Sequence, residues 1–177
     1  MVGSYDLYKL YFRVGDLNAS LQTLIDADHY RIKHHVKWHA YLVASAFPEV
    51  YLALAEEATG TSRTGFLREA KGALKKSLRW AKVRGSILPE ALRLQGVYDW
   101  LTGKQPSAQK HWQRSLAHAE NMGMRHEVAM THLEMGRRLS DQSHLRQAEA
   151  IFAEIGAEFD LAETRRLLPP LEEKKEA

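Results

Sequence analysis

The sequence predicts an all-α fold, an antiparallel helix-pair α-solenoid in which consecutive helix pairs stack on one another. Apolar residues recur at intervals of three and four along nearly the whole chain, which is helical spacing, and no segment shows convincing strand alternation. The helix pair in residues 91–123 also recurs, in weaker form, in residues 126–156. Repeated helix pairs of this kind bury their apolar faces by stacking on their neighbours.

The two copies of this pair share three positions that indicate close packing. The same interval separates Gly96 from Gly136, Ala108 from Ala148, and Trp112 from Phe152. A glycine inside a helix lets a second backbone approach closely, and a small alanine on the facing helix allows the same contact. The aromatic ring one turn later fills the space beyond, and its burial contributes on the order of 2–3 kcal/mol. We therefore expect these residues to be structural.

Glycine and proline divide the first half of the chain into helices. We expect helices over residues 4–14, 17–25, 34–46 with a start around 30–33, 49–58 and 66–83. Pro48 lacks an amide donor, so a kink or restart is expected there. Residues 61–65 are polar and are predicted to form a turn.

The second half continues the same pattern up to a proline pair. Pro89 and Pro106 suit the first turns of two helices, the first of which runs to residue 101. Helices over 125–139 and 144–155 follow, and a closing helix covers 157–168 before Pro169 and Pro170. We expect one domain over residues 1–168, with about four helix pairs and the closing helix, and a polar tail over 169–177.

Composition narrows the class of protein. Hydrophobic residues make up 45% of the 177 residues and there is no cysteine, which excludes disulfides and thiolate chemistry. No apolar run approaches the roughly 18 residues that a membrane span requires, and the first residues lack the pattern of a signal peptide. We expect a cytoplasmic protein with no membrane contact, no metal, no cofactor and no catalytic site.

The positive charge of the chain is concentrated in residues 63–84, which contain eight basic residues and one acidic residue. Five of the eight follow one face of a helix: Arg68, Lys71, Lys75, Arg79 and Lys82. This face could bind phosphate or an acidic partner surface. The more ordinary interpretation is a solvated outer face whose charges pair with an acidic neighbour on another helix.

The repeat positions resemble a tetratricopeptide pattern in spacing, although the period here is longer than the roughly 34 residues of that repeat. Several segments are similar, in order, to the C-terminal helical-repeat tail of large bacterial signalling ATPases, which carry cyclase or kinase domains before an AAA-type nucleotide-binding module. These segments are PEVYLALAE, RLQGVYDWLTGK, HWQRSLAHAENMGM, HLEMGRRL and AEAIFAEIGAEFDLAETRRLL. The resemblance covers roughly residues 46–168. The resemblance implies a sensor or regulatory region whose chemistry lies upstream. This chain itself contains no Gly-rich phosphate-binding loop and no cyclase or kinase motif.

Histidine and serine supply the remaining candidates for chemistry. His34, His35 and His39 cluster near His29, and two of them are spaced to share a metal, but no third ligand is evident. A pH-sensitive surface is the better interpretation of this cluster. Ser115 lies between two histidines of one helix, but a small side chain suits its place in the repeat better than a nucleophile does.

A solenoid binds extended partners along its concave face. The candidate partner-binding residues on that face are Arg93, Gln95 and Asp99 in one helix and His126, Met130 and Glu134 in the next pair. The main hypothesis is therefore a protein or peptide partner, with an upstream nucleotide-binding or cyclase module in a longer parent. Nucleic-acid binding through residues 63–84 is the alternative. The aromatic start of the chain (Tyr5, Tyr8, Tyr11 and Phe12) suggests either a missing upstream neighbour or self-association through the first helix.

Overall fold

The structure is a computed structural model that describes residues 2–36 and 40–169, with side chains from residue 6 onward. Within these ranges the chain forms nine α-helices, one short 3-10 helix at Gly85–Ile87 and no strand. The helices are α1 (Val2–Arg13), α2 (Leu17–Lys33), α3 (Ala40–Glu57), α4 (Gly60–Ala81), α5 (Leu88–Leu101), α6 (Gln105–Asn121), α7 (Arg125–Leu139), α8 (Gln142–Ile155) and α9 (Glu158–Leu167). The predicted all-α class is confirmed.

The chain divides into two compact units, and the division falls within α6. Unit 1 is Met1–His111 and unit 2 is Trp112–Ala177. In unit 1, α1 packs on α2, α2 on α3, α3 on α4 and α4 on α5, and α3 also contacts α5. In unit 2, α7 packs on α8 and α8 on α9. The single domain expected over 1–168 stays a prediction, and all but the first residue of the expected tail lies outside the described residues.

Each unit has an apolar core built from the predicted helical faces. In unit 1, one cluster forms around Tyr8, Leu24 and Val50 and a second around Leu74 and Val97. The core of unit 2 forms around Ala129, Ala148, Phe152 and Leu161. Tyr8 is fully buried and Phe12 packs against the first cluster, so these two aromatic residues belong to the core, and self-association through the first helix stays a prediction. The side chain of Tyr5 lies outside the described residues.

Pro48 neither breaks nor restarts its helix, because α3 continues through it. A proline removes the amide that would donate to the carbonyl four residues earlier, here that of Ala44. In the structure the Ser77 hydroxyl on α4 donates to that carbonyl at 2.9 Å. A side chain from the facing helix thus takes the place of the missing amide.

The predicted turn at 61–65 is also wrong, because α4 begins at Gly60 and includes these residues. Arg63 explains how this polar segment is held. Its guanidinium donates to the Ala55 carbonyl at 2.8 Å and to the Leu101 carbonyl at 3.3 Å, at the C-terminal ends of α3 and α5. A cation at these ends is stabilised by the helix dipoles as well as by the two hydrogen bonds.

The close approach expected at Gly136 is confirmed. A Cβ atom on this residue would lie 2.6 Å from Cγ and 2.9 Å from the backbone nitrogen of Leu145 on α8. No side chain fits at that distance without movement of α8. Ala148 and Phe152, farther along α8, are fully buried in the same unit.

Candidate functional site

A groove of about 470 Å³ opens in unit 1 where α2, α3 and α4 meet. Its apolar surface includes Ile32 from α2, Phe47 and Tyr51 from α3, and Trp80 from α4. Gly72, also on α4, leaves room in the groove, because a Cβ atom added there would have no neighbour within 4 Å. The groove falls within the range of about 300–1,000 Å³ that is typical of ligand sites in proteins.

The aromatic residues of the groove are partly accessible to solvent. The rings of Phe47 and Tyr51 stack with their centroids 5.8 Å apart. Trp80 is 37% exposed and Ile32 is 59% exposed, although both are large and apolar. Burial, and to a smaller extent the Glu69 carboxylate, raise the pKa of Tyr51, so its hydroxyl remains protonated at neutral pH. The groove therefore offers apolar contact area together with one neutral hydroxyl.

Both carboxylates in the groove wall have a cationic partner. Asp28 accepts two hydrogen bonds from the Arg31 guanidinium, at 2.8 and 2.7 Å. Glu69 accepts a longer one, at 3.4 Å, from Arg68. Lys76 and Arg79 line the same groove from α4. The wall therefore carries more positive than negative charge.

The predicted basic stripe lies on the surface of α4, with Lys82 directly after the last residue of the helix. Arg68, Lys71, Lys75, Arg79 and Lys82 are all exposed. The stripe and the groove-lining residues Gly72, Lys76 and Arg79 follow neighbouring rows on α4, because each residue turns the helix by about 100°. Arg79 belongs to both rows. The structure thus brings the stripe alongside the groove.

The eight basic residues of 63–84 divide into two groups by their contacts. Arg63 binds the ends of two helices, Arg68 pairs with Glu69, and Arg84 lies 4.3 Å above the ring of Tyr41. Among the residues that the structure describes, the other five form no ion pair: Lys71, Lys75, Lys76, Arg79 and Lys82. If the stripe were only a solvated outer face, its cations would be expected to pair with an acidic residue of another helix. No such pair is found within the described ranges.

Two of the three candidates on α5, Arg93 and Asp99, are buried, whereas Gln95 is partly exposed, and a partner-binding role for the three stays a prediction. Arg93 is 3% exposed and lies 3.9 Å from the Glu49 carboxylate of α3. Asp99 is 5% exposed and accepts hydrogen bonds from Gln95 at 3.1 Å and from Ser107 at 2.7 Å. His111 Nδ1 lies 2.9 Å from the same carboxylate. These side chains join helices within unit 1.

The candidates on α7 belong to unit 2, and the structure gives each a local partner. His126 is exposed, and its Nε2 lies 3.0 Å from the Asp160 carboxylate. Met130 packs against the core of the unit. Glu134 accepts hydrogen bonds from Arg137 at 3.2 Å and from Arg138 at 2.8 Å. A partner-binding role for these three residues stays a prediction.

The histidine and serine candidates do not form a site in the described residues. No group of three or more His, Asp or Glu side chains there is arranged to hold a metal. The ring of His34 lies 4.3 Å from that of Tyr30, and His39 lies outside the described ranges. Ser115 is fully buried, and its hydroxyl lies 3.0 Å from that of Thr131.

A histidine pair in unit 2 was not indicated by the sequence. Nδ1 of His132 on α7 lies 2.8 Å from Nδ1 of His144 on α8. Burial, and secondarily the neighbouring His144, lower the pKa of His132 to about 4. One nitrogen of the pair must donate a proton while the other accepts it, so the contact requires at least one neutral ring.

Within the described residues, no helix has the length and apolar character needed to cross a membrane. Comparison of the chain with known proteins finds no matching family model, no similar curated protein and no similar solved structure. The function is therefore inferred from the groove and its surroundings.

Proposed function

We propose that this chain is a non-catalytic, protein-binding helical module, and that the groove of unit 1 receives apolar side chains of the partner. The observation that carries this proposal is the group of accessible apolar side chains at the groove, above all Trp80 and Ile32. Large apolar side chains that stay exposed beside a concave surface are typical of interaction sites. Trp and Tyr are also the residues that most often dominate binding energy at such sites.

The repeated helix pairs support the same function. The predicted solenoid would present its grooves on a rigid scaffold, because each pair is held by its neighbours. The contact between α3 and α5, helices of successive pairs, is consistent with stacking of this kind. If the resemblance to the tails of signalling ATPases reflects kinship, partner binding here would regulate a nucleotide-binding or cyclase module upstream in a longer parent.

The test is selection of short, random displayed peptides on the immobilised full chain. The blocking variant is Gly72→Trp, which places an indole in the groove from a position where a Cβ atom meets nothing. Gly65→Trp is the matched control, because Gly65 lies on the same helix, has equal room and does not line the groove. We expect the selected peptides to bind the wild type and Gly65→Trp, and to bind Gly72→Trp at least tenfold more weakly.

Two results would contradict the proposal. One is that no peptide is enriched above background. The other is that enriched peptides bind Gly72→Trp as tightly as the wild type, which would place their site elsewhere on the chain.

Nucleic-acid binding remains a second candidate because of one observation, the five exposed cations of α4 and its C-cap that have no ion pair among the described residues. Phosphate contacts of this kind give an affinity that falls steeply as salt is raised. If the candidate is correct, reversing the charge of Lys71, Lys75 and Arg79 together will abolish binding to a single-stranded oligonucleotide. No detectable binding of the wild type at 50 mM salt would exclude it.

A further inference from the structure

We propose that the partner segment of this groove is acidic, with Asp or Glu residues on either side of one or two large apolar side chains. This inference rests on the proposed function and adds the chemistry of the partner. Three features of unit 1 support it: the cations around the groove, the pairing of its carboxylates, and the position of its apolar surface.

The cations are available to a partner. Lys76 and Arg79 line the groove, and Lys71, Lys75 and Lys82 extend the positive surface along the adjoining row of α4 and its C-cap. None of these five has a carboxylate within 4 Å among the residues that the structure describes. Carboxylates of a bound segment can therefore approach them without displacing an existing ion pair.

The carboxylates of the groove wall are less available than its cations. Asp28 is engaged by both hydrogen bonds from Arg31, and Glu69 by Arg68. The arginines already neutralise both carboxylates, so a basic segment would find less unpaired charge here than an acidic segment finds at the five cations. Complementary charge at the edge of an interface mainly sets partner choice and association rate.

The apolar surface favours a polypeptide over a nucleic acid. Trp80 and Phe47 lie in the same groove as Lys76 and Arg79, so one short segment can contact rings and cations together. A phosphate backbone would satisfy the cations but would offer no apolar side chain to Ile32 and Phe47, which also line the groove. An acidic segment with apolar side chains matches both kinds of surface.

The experiment measures fluorescence anisotropy of the full chain with two pools of short, fluorescein-labelled peptides of equal length. Both pools carry Leu, Phe and Trp at randomised positions. The remaining positions are Asp and Glu in the acidic pool and Asn and Gln in the neutral pool. A single-stranded oligonucleotide is a third probe. The test variant is Lys76→Glu/Arg79→Glu, and the control is Lys104→Glu/Lys110→Glu, which changes net charge equally at exposed positions outside the groove.

We expect the acidic pool to bind the wild type at least tenfold more tightly than the neutral pool at 50 mM salt. The groove variant should bind the acidic pool on the order of tenfold more weakly, because attraction becomes repulsion at two sites. Binding of the neutral pool should change less than threefold in that variant. The affinity of the control variant for either pool should fall less than threefold. At 500 mM salt, the wild type should lose most of its preference for the acidic pool over the neutral pool.

The remaining outcomes overturn the inference in distinguishable ways. Equal binding of both pools, abolished by Gly72→Trp, would leave the proposed function standing and refute the acidic partner. Equal weakening by the control and groove variants would assign the effect to net charge and refute it as well. Binding of the oligonucleotide alone would favour the nucleic-acid alternative. Binding of none of the three probes would refute this inference and weaken the proposed function with it.

Discussion

In the structure, the Ser77 hydroxyl takes the place of the amide that Pro48 lacks. This arrangement leads to a specific prediction about stability. Ser77 is 1% exposed, and its hydroxyl donates to the Ala44 carbonyl of α3. In Ser77→Ala that carbonyl has neither the side-chain donor nor an amide at position 48. Losing the bond and leaving a part-buried carbonyl unsatisfied costs about 2 kcal/mol in the free energy of unfolding.

The same change should cost less once residue 48 can donate. In Pro48→Ala the new amide lies in helical register with the Ala44 carbonyl, so removing the Ser77 hydroxyl costs only about 1 kcal/mol. The two substitutions should therefore be coupled by about 1 kcal/mol, which is a typical coupling for residues that share a partner. Ser45→Ala is the control, because Ser45 donates to the Leu42 carbonyl and does not depend on residue 48.

The assay is equilibrium urea unfolding, followed by circular dichroism at 222 nm, of the wild type, the two single variants and the double variant. The control cycle replaces Ser77→Ala with Ser45→Ala and should be additive. Independent sites are additive within about 0.3–0.5 kcal/mol. If the Ser77→Ala/Pro48→Ala cycle is additive to the same degree, Ser77 does not compensate for the proline and the explanation of the unbroken helix is wrong.

Three further predictions concern stability. Gly136→Ala should lower the free energy of unfolding by about 1–2 kcal/mol, because its Cβ atom would collide with α8. Gly65→Ala has open space around its Cβ atom and should raise the free energy of unfolding by about 0.5–1 kcal/mol. The midpoints of urea unfolding measure both effects. Arg63→Ala should cost about 2 kcal/mol through the carbonyl bonds at two helix ends, and a thermal midpoint unchanged within about 1 °C would refute this. Between pH 6.5 and 4 His132 binds a proton in the unfolded chain but not in the folded chain, so the free energy of unfolding should fall as pH falls. The pKa shift sets an upper limit of about 3 kcal/mol on this loss, which screening reduces to about 1–2 kcal/mol. His132→Gln should flatten that part of the pH profile of unfolding.

Local patterns in the sequence were sufficient for most of the helices. Apolar spacing placed the core faces, and glycines such as Gly15 and Gly156, which adopt left-handed backbone, mark the ends of helices. Short-range signals failed where a distant residue decided the outcome. Pro48 is tolerated because of Ser77, and the polar residues 61–65 are helical where Arg63 reaches the ends of two other helices.

Only one part of the candidate site, its basic stripe, could be predicted from the sequence. The basic stripe could be predicted from spacing alone, because the charges of one helix face follow from the sequence of that helix. The groove could not, because the accessibility of Phe47 and Trp80 depends on the arrangement of three helices, which the spacing within each helix does not reveal. Arg93 and Asp99 appeared to be surface residues, but partners on other parts of the fold bury them.

The most direct test of the proposed function is the position of the bound segment on the full chain. We would record amide and indole spectra of the ¹⁵N-labelled protein during titration with the acidic peptide pool. If the segment binds in the groove, the largest shift changes will fall on Tyr51, Gly72 and the Trp80 indole, and they will disappear in Gly72→Trp. Shift changes confined to unit 2, or unchanged by that substitution, would contradict the proposed site.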